Sequence, residues 1–370
     1  MKFRIRPNVL GMTPYTPGKP IDEVKRELGL TEVVKLASNE NPWGASPKAI
    51  EAIRVAAAEV HLYPDASAYA LRQAVAAKFG MPAESVLLGN GSDEIIHLLG
   101  QIFLGSADDE IVVGDPSFVR YDAAAHLAGC RLVKVPLDAD LRHDLDAMAD
   151  AVGPNTKLVW VANPNNPTGT IVSRQAVDRL LDRLPEGVVL VLDEAYHEFA
   201  ADQPDYPHSV DYIRAGRPVI GLRTFSKAYG LAGIRVGYGF ADPAILDAVD
   251  RAREPFDVNS LAQAAAIAAL GDDEFIQMTV RRTSAGRETL NKVLREVGGN
   301  PIPTFANFVF ADMGQPAKPI FEALLHRGII VRSGHVLGMP NALRVSIGTE
   351  VENEKFAQAL RAVMASQVTA

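Results

Sequence analysis

A lysine, an arginine and two hydroxyl groups lie close together in the segment Thr224-Phe225-Ser226-Lys227 and at Arg235. Hydroxyls and a guanidinium can hold a phosphate dianion through charge-assisted hydrogen bonds. A lysine amine that is kept neutral beside them could form a Schiff base with a carbonyl compound. The alternative for this segment alone is a solvated surface lysine.

A glycine-rich turn, Gly89-Asn90-Gly91-Ser92-Asp93-Glu94, joins the apolar run 86–88 to a predicted helix that continues to Leu104. The first amide groups of a helix have no partner within the helix and attract anions. The sequence therefore predicts that a phosphate rests on the amides of Ser92 and Asp93, with an ordinary capped helix as the alternative. The turn lacks the glycine spacing of nucleotide-binding motifs.

The apolar run 189–192 leads directly into Asp193-Glu194-Ala195-Tyr196. A carboxylate at the mouth of a buried strand is partly desolvated and is stabilised by a cation, for which a protonated pyridine nitrogen is a good match. We predict this role for Asp193, and a hydrogen bond from Tyr196 to a ring oxygen. The alternatives are a helix cap at Asp193 and a packing role for Tyr196.

The segment Asn163-Pro164-Asn165-Asn166-Pro167-Thr168-Gly169 is so rich in turn-forming residues that it cannot form a helix or a strand. It follows the apolar run 158–162. Loop formation explains the prolines and the glycine. The two adjacent amides, Asn165 and Asn166, could in addition orient a ring oxygen and a substrate.

Amphipathic helices alternate with short apolar strands through the first two thirds of the chain, which predicts a doubly wound α/β sheet with ligands at the carboxyl ends of its strands. The proline-rich opening segment is expected to contain no regular element. After Phe256 the pattern changes to long helices and later strands, which predicts a smaller α+β domain. The predicted helices are 47–60, 67–79, 93–104 and 173–184, and the predicted strands are 111–113, 132–135, 158–162, 188–192, 219–222, 307–311, 328–331 and 343–347.

Composition narrows the functional classes. The 370 residues carry a net charge of -8 and thus no basic excess, so nucleic acid is not an expected partner. A single cysteine, Cys130, allows no intrachain disulfide, and the eight histidines show no metal-binding spacing, so no metal is predicted. No run reaches the ~18 apolar residues of a membrane span, and the opening segment lacks a signal-peptide core, so we expect a cytoplasmic protein.

Taken together, these motifs resemble fold type I pyridoxal 5'-phosphate (PLP) enzymes, and among them the histidinol-phosphate aminotransferases. The resemblance spans nearly the whole chain. It implies a mostly parallel seven-stranded sheet in a large domain at 36–256, a small C-terminal domain at 257–370, and an N-terminal arm at 1–35 that packs with the small domain. The motifs that carry it are 14–18, 38–42, 63–65, 91–94, 165–169, 193–196, 226–228 with Arg235, and 343–349.

The resemblance implies a role for each matching residue. Lys227 would bind the cofactor aldehyde covalently, Asp193 would pair with the pyridine nitrogen, and Tyr196 and Asn166 would contact the ring 3-oxygen. Phe118 would stack on the ring at a position where relatives often have tyrosine. Tyr63 would come from the second subunit of a homodimer. The implied phosphate ligands are Ser92, Asp93, Thr224, Ser226 and Arg235.

Substrate binding is implied at Arg332 and Arg344, with Asn166 and with Tyr15 of the N-terminal arm. Two arginines suit the phosphate of histidinol phosphate and the carboxylate of glutamate or 2-oxoglutarate. The resemblance favours an amino-group transfer of histidine biosynthesis between those substrates. The alternatives are an aromatic aminotransferase for phenylalanine or tyrosine, a threonine-phosphate decarboxylase, a non-catalytic PLP-binding regulatory module, or an unrelated nucleotide-binding α/β protein.

Overall fold

The computed structural model describes residues 3–14 and 18–368 of the chain, with side chains described up to residue 366. The strands in this part of the chain are β1 (Val34–Lys35), β2 (Val86–Gly89), β3 (Glu110–Asp115), β4 (Arg131–Pro136), β5 (Thr156–Ala162), β6 (Val189–Asp193), β7 (Val219–Thr224), β8 (Gly237–Phe240), β9 (Asn300–Ile302), β10 (Phe308–Asp312), β11 (Ile329–Ile330), β12 (Arg332–Ser333) and β13 (Ala342–Ser346). The helices are α1 (Pro7–Leu10), α2 (Ile21–Leu28), α3 (Pro47–Ala56), α4 (Tyr69–Phe79), α5 (Ser92–Phe103), α6 (Val119–Ala128), α7 (Leu145–Asp150), α8 (Arg174–Arg183), α9 (Ser209–Arg214), α10 (Pro243–Ala252), α11 (Ser260–Leu270), α12 (Asp273–Glu296), α13 (Ala317–Leu325) and α14 (Glu350–Val368).

The central sheet has seven strands in the order β2-β8-β7-β6-β5-β3-β4. Strand β8 runs antiparallel to both of its neighbours, and the other strands run parallel to one another. The predicted fold, a mostly parallel seven-stranded sheet, is confirmed. Most of its strands are buried along their length, because helices cover both faces.

Alternate residues of the central strands enter different cores. Val189 and Val191 of β6 pack in the core that includes α5, α6 and α10, whereas Leu190 and Leu192 pack in the core that includes α7 and α8. This period of two is what a strand buried on both faces requires. The same alternation determines which side chains point to each face of the sheet at the ends of its strands.

A second, antiparallel sheet has the order β12-β13-β10-β9. Its core is formed with α12, α13 and α14 and includes Leu290, Val309 and Phe356. Strand β1 pairs in parallel with β11 and thereby connects residues 34–35 to this region. The later part of the chain therefore combines helices with a separate sheet, as predicted.

The opening segment contains two helices, so the prediction that it holds no regular element was wrong. Pro7 occupies the first position of α1 and Pro20 the N-cap of α2. Proline is tolerated at these positions because the first helical amides have no intrahelical acceptor. Helix α1 contacts α6 through bonds from Arg6 and Asn8 to backbone oxygens, and Val24 of α2 packs against Ile330.

Two predicted helices are shorter than expected. The helix that was predicted to begin at Ser67 begins at Tyr69, because the carboxylate of Asp65 accepts hydrogen bonds from the amides of Ser67 and Tyr69. The helix that begins at Pro47 ends at Ala56 and is followed by a single 3-10 turn. Strand β8 was not predicted, since its sequence Gly-Tyr-Gly-Phe lacks a continuous apolar run.

The predicted domain boundary near Phe256 lies between the helices α10 and α11 and does not coincide with a change of core. The first helix beyond it, α11, packs in one core with residues of α3, α4 and β8. The division into an arm, a large domain and a small domain stays a prediction. None of the helices formed by residues 3–14 and 18–368 is long and apolar enough to cross a lipid bilayer.

Candidate active site

A cavity of about 240 Å³ lies where the carboxyl ends of β2, β3, β5, β6 and β7 meet the antiparallel sheet. Most of the residues singled out in the sequence line it, although they come from segments far apart in the chain. The predicted residues that line the cavity are Ser92, Asp93, Phe118, Asn166, Asp193, Tyr196, Thr224, Ser226, Lys227, Arg235, Arg332 and Arg344. The two sheets together thus bring into one cavity these side chains, which lie up to 252 residues apart in the sequence, from Ser92 to Arg344.

Lys227 follows β7 and extends its amine into this cavity. Its Nζ donates a hydrogen bond of 3.4 Å to the backbone oxygen of Ser38 and lies 5.9 Å from the ring centre of Tyr196. Burial and, to a smaller extent, the nearby charge of Arg344 together lower the pKa of the Lys227 amine to about 8. A lowered pKa increases the fraction of neutral amine near pH 7, which is the form that attacks a carbonyl.

Asp193 ends β6 and is 4% exposed. Its Oδ2 accepts a hydrogen bond of 2.7 Å from the hydroxyl of Tyr121, and its Oδ1 accepts one of 3.1 Å from the amide of Ala195. Burial raises the pKa of this carboxyl to about 6, and the two donors oppose that rise. Among the residues that the structure describes, no cation forms an ion pair with Asp193.

One end of the cavity offers donors suited to a phosphate. Helix α5 begins at Ser92, directly after Gly91, so its first amides face this end. On the neighbouring strand end, the hydroxyl of Thr224 lies 3.0 Å from that of Ser226 and accepts a hydrogen bond from the Ser226 amide. Arg235 completes the group, with its guanidinium 3.4 Å from the carboxylate of Asp93.

Two glycines make room for this arrangement. A Cβ on Gly91 would collide with the guanidinium of Arg235, and a Cβ on Gly237 would collide with the amide of Ser92. Gly91 also has a φ of +82°, and Arg235 itself adopts the left-handed region with a φ of +61°. A non-glycine residue in that region costs about 1 kcal/mol or more, so packing holds the arginine in place here.

Asn39 is a site residue to which we assigned no role from the sequence. Its Nδ2 donates a hydrogen bond of 2.9 Å to the hydroxyl of Tyr196, and its amide donates one to the Oγ of Ser346. Its backbone oxygen accepts from Asn307, and its φ is +55°. Asn39 belongs to the motif 38–42, one of those that carry the family resemblance, and this motif was the sequence feature that could have indicated a site residue here. The sequence did not show which residues Asn39 contacts.

Arg332 and Arg344 are direct partners in the antiparallel pairing of β12 with β13, so both side chains leave the same face of this sheet. Arg344 donates hydrogen bonds of 2.5 Å to the Oδ1 of Asn166 and 2.8 Å to the backbone oxygen of Ala37. The two predicted arginines are therefore neighbours because the register of β12 and β13 pairs them directly. Asn166 lines the same cavity as Lys227 and Asp193 and contacts Arg344 directly.

A second cavity of about 490 Å³ adjoins the first, and the two share Phe118, Asn166, Arg332 and Arg344 as lining residues. Thr13 and Pro14 of the N-terminal arm lie at its edge, as does His335. The space beside the arginines is therefore larger than a carboxylate alone would fill.

One predicted residue in the described part of the chain lies outside the cavity. Tyr63 is 82% exposed and stacks on Phe256 with ring centres 4.7 Å apart. It borders a surface cavity that also includes Arg235. Tyr15 lies outside the described residues. No cluster of metal-binding side chains occurs in residues 3–14 and 18–368.

The order of the seven-stranded sheet, its one antiparallel strand and the partly buried lysine at the carboxyl ends of its parallel strands are those of the PLP-dependent transferase fold type I. The model of the family "Aminotransferase class I and II" matches residues 31–360. The chain belongs to this family, in agreement with the resemblance found in the sequence.

Within this family, the chain is similar to several histidinol-phosphate aminotransferases. The chain is 49% identical to a histidinol-phosphate aminotransferase of Moorella thermoacetica over 363 residues, which cover 98% of this chain and 93% of the relative. It is 44% identical to histidinol-phosphate aminotransferase 2 of Carboxydothermus hydrogenoformans over 97% of this chain and 99% of the relative. A crystal structure of histidinol-phosphate aminotransferase from Sinorhizobium meliloti in complex with pyridoxal-5'-phosphate matches with a TM-score of 0.92 and 31% identity, over 99% of both chains.

Proposed function

We propose that this chain is a PLP-dependent aminotransferase that moves an amino group between L-histidinol phosphate and 2-oxoglutarate in histidine biosynthesis. The observation that carries the proposal is one cavity that holds the partly buried amine of Lys227, the buried carboxylate of Asp193 and the adjacent arginines 332 and 344. The relatives named above support the choice of substrates. A cytoplasmic location is part of the same proposal.

The donor set fits PLP at each end. The amides of α5, the hydroxyls of Thr224 and Ser226 and the guanidinium of Arg235 suit the phosphate, and the glycines at 91 and 237 leave the space that such a group needs. Asp193 suits the ring nitrogen, because it is a buried carboxylate that has neutral donors but no cation within the described residues. Phe118 offers a stacking face, while Tyr196 and Asn166 suit the ring oxygen.

When bound, PLP supplies an electron-withdrawing pyridine ring that takes up the electron pair released at the substrate carbon. Asp193 would hold a proton at the ring nitrogen and so keep the ring electron-withdrawing. Lys227 would hold the aldehyde carbon covalently until the substrate amine replaces it. Its freed neutral amine would then take the proton from the substrate carbon and return it to the cofactor carbon that carried the aldehyde. The depressed pKa of this amine, about 8, favours both roles.

The anion site must accept two substrates in turn. The side chains of Arg332 and Arg344 present guanidinium groups from one face of the antiparallel sheet. A guanidinium binds either a carboxylate or a phosphate through paired hydrogen bonds. The larger phosphate ester extends into the adjoining 490 Å³ cavity, whereas glutamate places its α-carboxylate against Arg344. Tyr15 of the arm contributes to the same site in this proposal.

A second copy of the chain completes the site in this proposal. Tyr63 is too exposed to serve the cavity of its own subunit, and it lies beside Arg235 on a surface with exposed Val60 and Leu62. A homodimer in which each copy extends Tyr63 toward the cofactor phosphate of the other would bury this surface. The oligomeric state in solution and the loss of cofactor affinity in Tyr63→Ala test this part.

The attachment point of the cofactor is the direct test of the proposal. Holoenzyme that is reduced with borohydride and digested should yield one pyridoxyl-labelled peptide, and the label should lie on Lys227. Lys227→Ala should lose turnover by a factor of 10⁴ or more, because one residue supplies both the covalent link and the base. A surface control, Lys355→Ala, should leave turnover unchanged. A label elsewhere, or normal turnover in Lys227→Ala, would refute the proposal.

Separate half-reactions decide the substrate. Histidinol phosphate added to holoenzyme should change the cofactor absorbance rapidly and at low concentration, whereas phenylalanine and threonine phosphate should do so weakly. A faster response to phenylalanine would assign an aromatic aminotransferase. Release of CO₂ from threonine phosphate would assign a decarboxylase. Cofactor binding without any half-reaction would indicate a regulatory module.

A further inference from the structure

Tyr121 lies at the cavity and has no role in the proposal above. It is one helical turn after Phe118 on α6 and is fully buried. Its hydroxyl donates a hydrogen bond of 2.7 Å to the Oδ2 of Asp193. Its ring stacks on Trp160 of β5, with ring centres 4.8 Å apart and planes at 22°.

We infer that Tyr121 is a positioning residue for the proposed aminotransferase chemistry, and that its hydroxyl fixes the orientation of the Asp193 carboxylate and limits the affinity of that carboxylate for a proton. This inference rests on the proposed function. Tyr121 acts through Asp193 and is not itself in contact with the substrate. The observations that carry it are the short hydrogen bond and the absence of a cation paired with Asp193 in the described part of the chain.

The side chain that donates to Asp193 is a neutral phenol and not a cation. A cation beside Asp193 would neutralise its charge and compete with a protonated ring nitrogen for the carboxylate. A phenol orients the carboxylate but leaves its net charge in place. Burial raises the pKa of the Tyr121 hydroxyl well above its ordinary value, so this group stays protonated and keeps donating at any working pH.

Tyr121 also lies close to the predicted stacking residue, Phe118. Phe118, the predicted stacking residue, and Tyr121 are three positions apart, and their rings meet edge to face with centres 5.7 Å apart. Phe118 is the N-cap of α6 and Tyr121 lies in its first turn, so both rings leave the same end of this helix. The same turn of α6 therefore presents one aromatic ring to the cofactor and anchors the residue that holds the cofactor's ring nitrogen.

The proton affinity of the Asp193 carboxylate affects where the proton at the ring nitrogen lies. A hydrogen bond from the phenol stabilises the charged form of Asp193, so the proton between this carboxylate and the ring nitrogen stays on the ring. Without the phenol the carboxylate becomes more basic and draws that proton away. The ring then withdraws electrons less strongly, and proton removal from the substrate slows.

Tyr121→Phe removes the hydroxyl and keeps the ring on Trp160. In the holoenzyme we expect kcat to fall about tenfold with KM changed less than threefold, because a hydrogen bond to a charged group is lost. The midpoint of the pH titration of cofactor absorbance should rise by about half a pH unit or more, because the ring is less often protonated. The matched control is Trp160→Phe, which retains an aromatic contact and should lower thermal stability without moving that midpoint.

A second variant keeps the test valid if Tyr121→Phe folds poorly. Site-specific 3-fluorotyrosine at position 121 is nearly isosteric, and its more acidic phenol is a stronger donor, so the titration midpoint should move downward. The inference would be overturned if, in both variants, the titration midpoint equals that of the parent and kcat stays within twofold of it. If the parent protein shows no cofactor absorbance linked to Lys227, the proposed function fails instead, and the two failures are thereby distinguished.

Discussion

Two neighbouring carboxylates at the end of β6 have opposite surroundings. Asp193 faces the cavity, where a phenol and an amide are its hydrogen-bond donors. Glu194 faces the other side of the sheet and forms an ion pair of 2.9 Å with Arg223, in which both side chains are 1% exposed. The amide and hydroxyl of Ser209 also donate to Glu194.

The difference follows from the period of two in a strand and shows how burial can serve structure or chemistry. Glu194 has a cation, so its charge is balanced within the chain. Asp193 is equally buried but keeps an unbalanced charge, and burial raises its pKa to about 6. A buried carboxylate in that state is suited to an added cation, and a protonated ring nitrogen is one.

Asp193→Asn should have the largest effect on activity. The amide keeps the size of the side chain but cannot hold a proton at the ring nitrogen, so we expect kcat/KM for the proposed transamination to fall about a thousandfold, or ~4 kcal/mol. Steady-state kinetics with histidinol phosphate measure this loss. Activity within tenfold of the parent would show that the ring nitrogen does not depend on this carboxylate.

Glu194→Gln should affect stability instead. The substitution leaves the guanidinium of Arg223 buried without its anion, which costs about 3 to 5 kcal/mol of the free energy of unfolding. Chemical denaturation of the holoenzyme measures the loss, and kcat of the remaining folded protein should stay within a few-fold of the parent. The double variant Glu194→Gln with Arg223→Met should recover part of the stability. A thousandfold loss of kcat with unchanged stability would reverse our assignment of the two carboxylates.

The sequence predicted that Asp193 is a site residue, but it did not predict that Tyr121 donates a hydrogen bond to it. A carboxylate directly after an apolar run predicts a buried charge at a strand end, and the predicted cofactor contacts mostly lie on such ends. Tyr121 is inside a helix whose sequence is typical of packing, so nothing local indicates that it reaches β6. The hydrogen bond depends on strand order, which places β5 and β6 side by side beneath α6.

The substrate side was less predictable for a related reason. The pairing of Arg332 with Arg344 depends on the register of two strands, one of which has only two residues. The motif around Arg344 indicated a site residue, but a two-residue strand leaves no period in the sequence. Asn39 belongs to a quoted motif, yet its contacts with Tyr196 and Ser346 require the antiparallel sheet to be in place.

The stability of the cofactor-free protein should depend on pH through Asp193. Its folded pKa of about 6 exceeds the ordinary value of 3.8, so the folded state binds more protons between these two values. The contribution of neutral Asp193 is fully present below about pH 4 and is lost as the pH rises through 6. Against Asp193→Asn, the parent should therefore lose on the order of 2 to 3 kcal/mol across this window. A difference that does not vary with pH between 4 and 7 would contradict the assignment.

The smallest effect is expected at Phe118. Phe118→Tyr adds a hydroxyl on the helix turn from which Tyr121→Phe removes one, and the aromatic stacking face is retained. We expect kcat and cofactor affinity to change less than about threefold, under 1 kcal/mol, since the new hydroxyl replaces no existing contact. Phe118→Ala is the control, and it should weaken cofactor binding clearly, because the stacking face is lost. If Phe118→Tyr instead changes kcat as much as Tyr121→Phe does, the effect of α6 lies in its packing and not in the single hydroxyl that reaches Asp193.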